Sequence, residues 1–128
     1  AYYRQISYGN CDLTAGIQNY WAESSLKISP LEQTALLADL WMNRWDYEEE
    51  NIQAVKDAMY LTDTSFGRLY GKTGTGQQNG HNVRGWFIGF LERNEQVYCF
   101  ALQLQDSSLA SGTAASTITF EILSNLFS

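Results

Sequence analysis

The stretch Leu69-Tyr70-Gly71-Lys72-Thr73-Gly74-Thr75-Gly76 decides how the rest of this chain reads. It opens as the end of a strand running from Phe66 to Lys72 and passes into a Gly-rich segment, Gly74 to Gly80, read as a loop. Beyond that loop, Arg84 to Glu92 is rich in aromatic and β-branched residues and predicts a second strand. Gln96 to Gln105 predicts a third, joined to the second by a tight turn at Arg93-Asn94-Glu95. Upstream, Thr62-Asp63-Thr64-Ser65 reads as a turn that ends helical periodicity.

Working outward, Ser29-Pro30-Leu31-Glu32 is a strong helix start. Ser29 is the N-cap, Pro30 takes the first helical position and Glu32 reaches back to complete a capping box. Leu36, Leu37, Leu40 and Trp41 follow on one face, which predicts a helix over about residues 30–43. Tyr47-Glu48-Glu49-Glu50 opens a second helix with its carboxylates at the positive end of the dipole, and Ile52, Val55 and Met59 form its apolar stripe. The acidic run reads as a solvated face. A last helix spans Gly112 to Phe127, with Ile118, Ile122 and Leu126 predicted to face a core. Residues 1–28 read irregularly, with short helical pieces around Gly9 and Asn10. The order helix, helix, three antiparallel strands, helix is α+β, an antiparallel sheet with helices covering one side.

Composition narrows the functional classes. A net charge of −6 with no Lys/Arg run argues against capture of nucleic acid or anionic lipid by charge. No apolar run reaches the roughly 20 residues needed to cross a bilayer, and Ala1-Tyr-Tyr-Arg-Gln-Ile lacks the layout of a signal peptide. Cys11 and Cys99 are too few and too far apart for a zinc motif. Cys99 lies in an apolar strand pattern and reads as a buried thiol more readily than as a disulfide partner. The single histidine, His81, sits among Asn79, Gly80 and Asn82 and reads as a loop residue. A His-based metal cluster or a Ser-His-Asp triad is therefore not expected.

The chemistry concentrates at Lys72-Thr73-Gly74. A strand edge offers backbone N–H and C=O groups to a ligand amide, while an ammonium and a hydroxyl suit a carboxylate. A phosphate loop would need Gly-x-x-x-x-Gly-Lys-Ser/Thr opening a helix; Gly67 is wrongly spaced from Lys72, and a strand surrounds it. Lys-Thr-Gly is one of the short motifs of serine β-lactamases and penicillin-binding proteins. Its company extends the likeness: Tyr8-Gly9-Asn10 and Tyr20-Trp21-Ala22-Glu23 upstream, then Leu26-Lys27-Ile28-Ser29-Pro30-Leu31-Glu32-Gln33. Downstream come Asn79-Gly80, Val83, Gly85-Trp86-Phe87-Ile88-Gly89 and Ala110-Ser111-Gly112-Thr113-Ala114-Ala115. This ordered set resembles class D β-lactamases, and more closely the extracellular sensor domains of transmembrane β-lactam receptors that share their fold.

The resemblance implies roles. Lys72 and Thr73 would bind the drug carboxylate, with Gly74 allowing close approach, and the Thr75 N–H would be one arm of an oxyanion hole. Asn10, in Tyr8-Gly9-Asn10, would lie near the general-base lysine. Trp21 would help wall that lysine in, or would serve as plain core packing. The resemblance also implies that the chain matches only the second half of a serine β-lactamase or transpeptidase-like fold. The half carrying the Ser-x-x-Lys nucleophile motif would lie outside residues 1–128. Ser24-Ser25-Leu26-Lys27 fits that pattern but has no helix start to frame it, and it falls where the family has a loop. Many class D enzymes grip the carboxylate with an arginine near the start of the last helix. Here Ser111-Gly-Thr-Ala-Ala-Ser-Thr has none, and Arg84 is a candidate substitute.

Three functional readings follow: a receptor acylated on a serine outside this chain, a class D β-lactamase, and a catalytically inert interaction fragment. The implied partner is a β-lactam, with neither cofactor nor nucleic acid, and with a membrane only through an anchor elsewhere in the parent. The implied location is the extracellular face of a bacterial membrane, the periplasm or the secreted fraction. A lone second half would leave apolar faces and a strand edge open, so self-association or pairing with the complementary half is expected.

Overall fold

Ser29 starts the first helix through bonds that its neighbours supply. In the computed structural model, which describes residues 6, 8–10, 27–105 and 108–128, the Glu32 N–H donates to Ser29 Oγ. The Ser29 N–H in turn donates to Glu32 Oε1, both at 3.1 Å. Helix α1 runs Pro30–Met42 and stops at Asn43, which adopts a left-handed backbone. The Asn43 side chain then shapes the link to the next helix: Nδ2 donates to the Tyr47 carbonyl at 2.6 Å, and Oδ1 accepts from the Tyr47 N–H at 2.9 Å. Helix α2 is Glu49–Met59. Ile52 is its buried residue, whereas Val55, expected in the apolar stripe, is exposed.

Four strands follow: β1 Tyr60–Thr64, β2 Gly67–Gln78, β3 His81–Arg93 and β4 Gln96–Gln105. They form one antiparallel sheet in the order β1-β2-β3-β4. Helix α3, Gly112–Phe127, is capped by Ser111, whose Oγ accepts from the Ala114 N–H at 3.0 Å.

Two segments differ from the reading of the sequence. Thr62–Ser65 is not a turn: residues to Thr64 belong to β1, and only Ser65 and Phe66 reverse the chain. Thr64 Oγ1 closes that reversal, accepting from the Phe66 N–H at 3.2 Å and donating to the Gly67 carbonyl at 2.7 Å. Nor is Gly74–Gly80 a loop. Strand β2 continues to Gln78, and His81 opens β3 as the partner of Gln78. Only Asn79 and Gly80 turn, at φ 53° and 77°. Two successive positive φ values match the right-handed twist of the flanking strands, which is why Asn-Gly closes a two-residue hairpin so well. The Arg93-Asn94-Glu95 turn forms as read, with Asn94 and Glu95 as the turning pair between Arg93 and Gln96.

Helices cover both faces of the sheet, not one. Phe90 and Leu91 are adjacent in β3 and both 0% exposed, and successive strand residues point to opposite faces. Phe90 packs with Tyr70 and Leu37, backed by Leu40 and Trp41 of α1 and Met59 of α2. Leu91 packs with Phe66, Leu69 and Leu123 of α3. The reason is legible in β3 itself: Trp86 to Leu91 is apolar at both parities, as in strands buried on both sides. Each such side chain contributes roughly 1.5–3 kcal/mol by leaving water.

The orientation of α3 also differs from expectation. Gly112, Ala115, Thr119 and Leu123 are buried, whereas Ile118, Ile122 and Leu126 are 37%, 46% and 69% exposed. The helix start lies against backbone of β2 and β3, so small residues line the contact. The branched residues flank that seam instead of filling it.

Candidate functional site

Strand β1 pairs with β2 only between Gly67 and Tyr70. From Gly71 onward, among the described residues, the outer edge of β2 has no neighbouring strand, while its inner edge pairs continuously with β3. Lys72, Thr73, Gly74 and Thr75 lie on this open stretch, and Lys72, Thr73 and Thr75 are exposed. Lys72 Nζ donates to the Thr73 carbonyl at 2.5 Å. By strand alternation, Lys72 shares the Tyr70–Phe90 face with α1, and Thr73 and Thr75 share the Leu69–Leu91 face with α3. Chemically this is an exposed ammonium, a hydroxyl and an open backbone edge within one four-residue segment, suited to a ligand carrying both an amide and a carboxylate.

The start of α3 sits directly beneath this segment. The Gly112 N–H donates to Thr75 Oγ1 at 2.9 Å. Such proximity depends on missing side chains: a Cβ on Gly112 would lie 2.7 Å from Thr73 Cβ, and one on Gly85 would lie 2.1 Å from the Ser111 carbonyl oxygen. Arg84 pairs in register with Gly76 and shares the Lys72 face, about 13 Å further along at ~3.3 Å per residue.

Tyr8, Gly9 and Asn10 form a second group, tied to the segment that leads into α1. The Asn10 N–H donates to the Lys27 carbonyl at 2.8 Å, and the Lys27 N–H donates to Asn10 Oδ1 at 2.9 Å. Gly9 turns at φ 52°, with its absent Cβ pointing at the Lys27 carbonyl, so this is a turn and not a helical piece. Gln33 Nε2 donates to the Tyr8 hydroxyl at 3.4 Å. Burial pushes the Tyr8 phenol up from its usual range, an effect that the Gln33 bond partly offsets.

The structure thus gathers Lys72 to Thr75 on one strand, sets Arg84 on the facing strand, and holds Tyr8-Gly9-Asn10 at the entry to α1. Trp21, Cys11 and Ser24 to Leu26 lie outside the described residues. Gln33 escaped sequence reasoning. It is 6% exposed, and its buried Oε1 has no hydrogen-bond partner among the described residues. Its position one turn before Leu37, on the buried face of α1, was the available signal. Ser111 and Gly112 carry part of the family resemblance, but their closeness to β2 leaves no local trace in the sequence. Among the described residues no three His, Cys, Asp or Glu side chains gather as a metal site, and no helix is long and apolar enough to cross a membrane.

A family model described as penicillin binding protein transpeptidase domain matches residues 1–126. The chain is 39% identical over 122 residues to the regulatory protein BlaR1 of Bacillus licheniformis, covering 95% of this chain and 20% of that protein. The solved C-terminal domain of the Bacillus licheniformis BlaR penicillin-receptor superposes with a TM-score of 0.88 at 38% identity, over 97% of this chain and 50% of that one. The class D β-lactamase BAT-2 superposes with a TM-score of 0.85 at 37% identity, over 98% of this chain and 50% of that one. The chain therefore spans half the length of these solved domains and a fifth of the curated relative.

Proposed function

This chain belongs to the penicillin binding protein transpeptidase family, in its class D β-lactamase-like branch, and from that premise we propose that it is the second half of a β-lactam-recognising receptor domain. The nucleophilic serine belongs to the complementary half. What supports this reading is the open outer edge of β2 at Lys72–Thr75, which presents charge, hydroxyl and backbone groups together.

In this reading Lys72 and Thr73 hold the drug carboxylate, and Gly74 lets the ligand approach the backbone. The Thr75 N–H supplies one arm of the oxyanion hole. Arg84 adds positive charge on the Lys72 face, and Asn10 lies near the general-base lysine of the other half. The serine oxygen bonds to the lactam carbonyl carbon, the ring C–N bond breaks, and the serine proton ends on the ring nitrogen. The product is an acyl ester with no atom lost.

The receptor reading is favoured over the hydrolase by α3. Residues 111–128 contain no lysine or arginine, and Gly112 is seated against Thr73, so the helix brings no cation to the strand. In the receptor reading a persistent ester is the signal. The exposed Ile118, Ile122 and Leu126 and the outer edge of β4 are where the complementary half, or a second copy of this chain, would pack. The site would face the compartment that antibiotics reach first: the extracellular face of a bacterial membrane, the periplasm or the secreted fraction.

The test uses the whole protein with benzylpenicillin and a chromogenic cephalosporin. A stable one-drug mass increase with negligible turnover is expected. Sustained hydrolysis would make the protein a class D β-lactamase instead, and no adduct at all would leave an inert interaction module.

A further inference from the structure

We infer that the Thr75 side chain is a positioning residue: by accepting the Gly112 N–H it clamps β2 to the first turn of α3 and so aims its own backbone N–H. This rests on the oxyanion role proposed above for that N–H.

The first N–H groups of a helix have no partner within it. In α3 the Ala114 N–H is taken by Ser111 Oγ and the Ala115 N–H by the Ser111 carbonyl. The Gly112 N–H instead goes to a hydroxyl 37 residues earlier in the chain, at 2.9 Å. Gly85 and Gly112 make the junction possible, because a Cβ at either position would collide with the facing element.

The strand needs such a clamp. Beyond Tyr70, among the described residues, β2 has a partner strand on one edge only. Thr75 is flanked by Gly74 and Gly76, whose backbones are the least restrained of any residue. Between Thr73 and Gln77, Thr75 is thus the single side chain able to fix the strand from below. Its β-branch restricts χ1, which keeps Oγ1 pointed at the helix. Its Oγ1 is engaged by the Gly112 N–H of α3, so the hydroxyl acts through its own backbone and not by capturing the carboxylate.

The experiment is burst kinetics of benzylpenicillin acylation in the whole protein, separating the pre-covalent dissociation constant from the acylation rate constant. Thr75→Val keeps the shape and removes the acceptor. It is expected to slow acylation about tenfold, since small misplacements of reacting groups cost one to two orders of magnitude. The dissociation constant should stay within about twofold, as for a group acting only in the transition state. Thr75→Ser, which keeps the hydroxyl, should recover most of the rate. Thr75→Ala removes the same acceptor without a branched methyl to accommodate, and carries the same expectation if the valine variant misfolds. Unchanged acylation in the valine or alanine variant overturns the inference and leaves the β-lactam reading standing. So does a serine variant as slow as valine, or a weakened dissociation constant that accounts for the whole loss. A wild-type protein that forms no adduct removes the reading and this inference together.

Discussion

The Tyr8 hydroxyl and the Gln33 side-chain amide meet 3.4 Å apart, with Nε2 donating, and this bond joins the Tyr8-Gly9-Asn10 turn to the buried face of α1. Burial raises the Tyr8 phenol and the Gln33 bond lowers it, burial being the larger effect. Gln33→Met should therefore move the Tyr8 titration further upward, read as phenolate absorbance against pH with Tyr8→Phe as the blank. The folded-state pKa lies above the unfolded one. The associated stability is fully present below the unfolded value near pH 10 and is lost as pH rises through the folded value. A titration that does not move in Gln33→Met would show that the long bond carries no weight.

Lys72 and Arg84 share a sheet face, but only Lys72 lies within the open four-residue segment. Charge-assisted hydrogen bonds contribute about 1.5–3 kcal/mol, so Lys72→Ala should weaken penicillin capture by the whole protein roughly 10- to 100-fold. Arg84→Ala, further along the strand, should cost less than Lys72→Ala. Competition against a fluorescent penicillin gives both numbers, and an equal loss at the two positions would mean that the carboxylate sits between them.

Ser29 and Ser111 each receive an N–H of the helix they start, and Ser29 also belongs to a complete capping box. Replacing either by alanine should lower stability by about 1 kcal/mol. Urea denaturation of the whole protein measures this, and no loss at Ser29 would mean that Pro30 alone suffices to start α1.

Ile122 and Leu126 are 46% and 69% exposed on one stripe of α3. Exposed contiguous apolar surface drives association, so the 128-residue chain alone should sediment as dimers or larger species at micromolar concentration. The Ile122→Lys/Leu126→Lys variant should shift toward monomer. Sedimentation velocity reads both, and a monomeric wild-type chain would count against the stripe as a contact surface.

Cys99 is a half-buried free thiol whose pKa burial pushes up. Because the thiolate is the reactive form, alkylation of Cys99 in the folded protein at about pH 8 should be slower than in denaturant. Peptide mapping after timed iodoacetamide treatment checks this. Equal rates would place the thiol in open solvent.

The features legible in the sequence are those decided within a few residues. Ser29, Pro30 and Glu32 form a cap that needs one turn of chain, and Asn94-Glu95 reverses it between Arg93 and Gln96. Lys72-Thr73-Gly74, read with Tyr8-Gly9-Asn10 and Gly85-Trp86-Phe87, carries the family in its order alone. Three matters were decided only in three dimensions. The backbone from Gly74 to Gln78, whose glycines state no local preference, became strand because β3 pairs with it as far as Gln78. Both Ile118/Ile122/Leu126 and Ala115/Thr119/Leu123 have helical spacing; the close approach of α3 to the sheet selected the smaller set for burial. The Thr75–Gly112 bond joins positions 37 residues apart. Short-range preferences are set by neighbours along the chain, whereas burial and close contact depend on which surfaces the whole fold brings together.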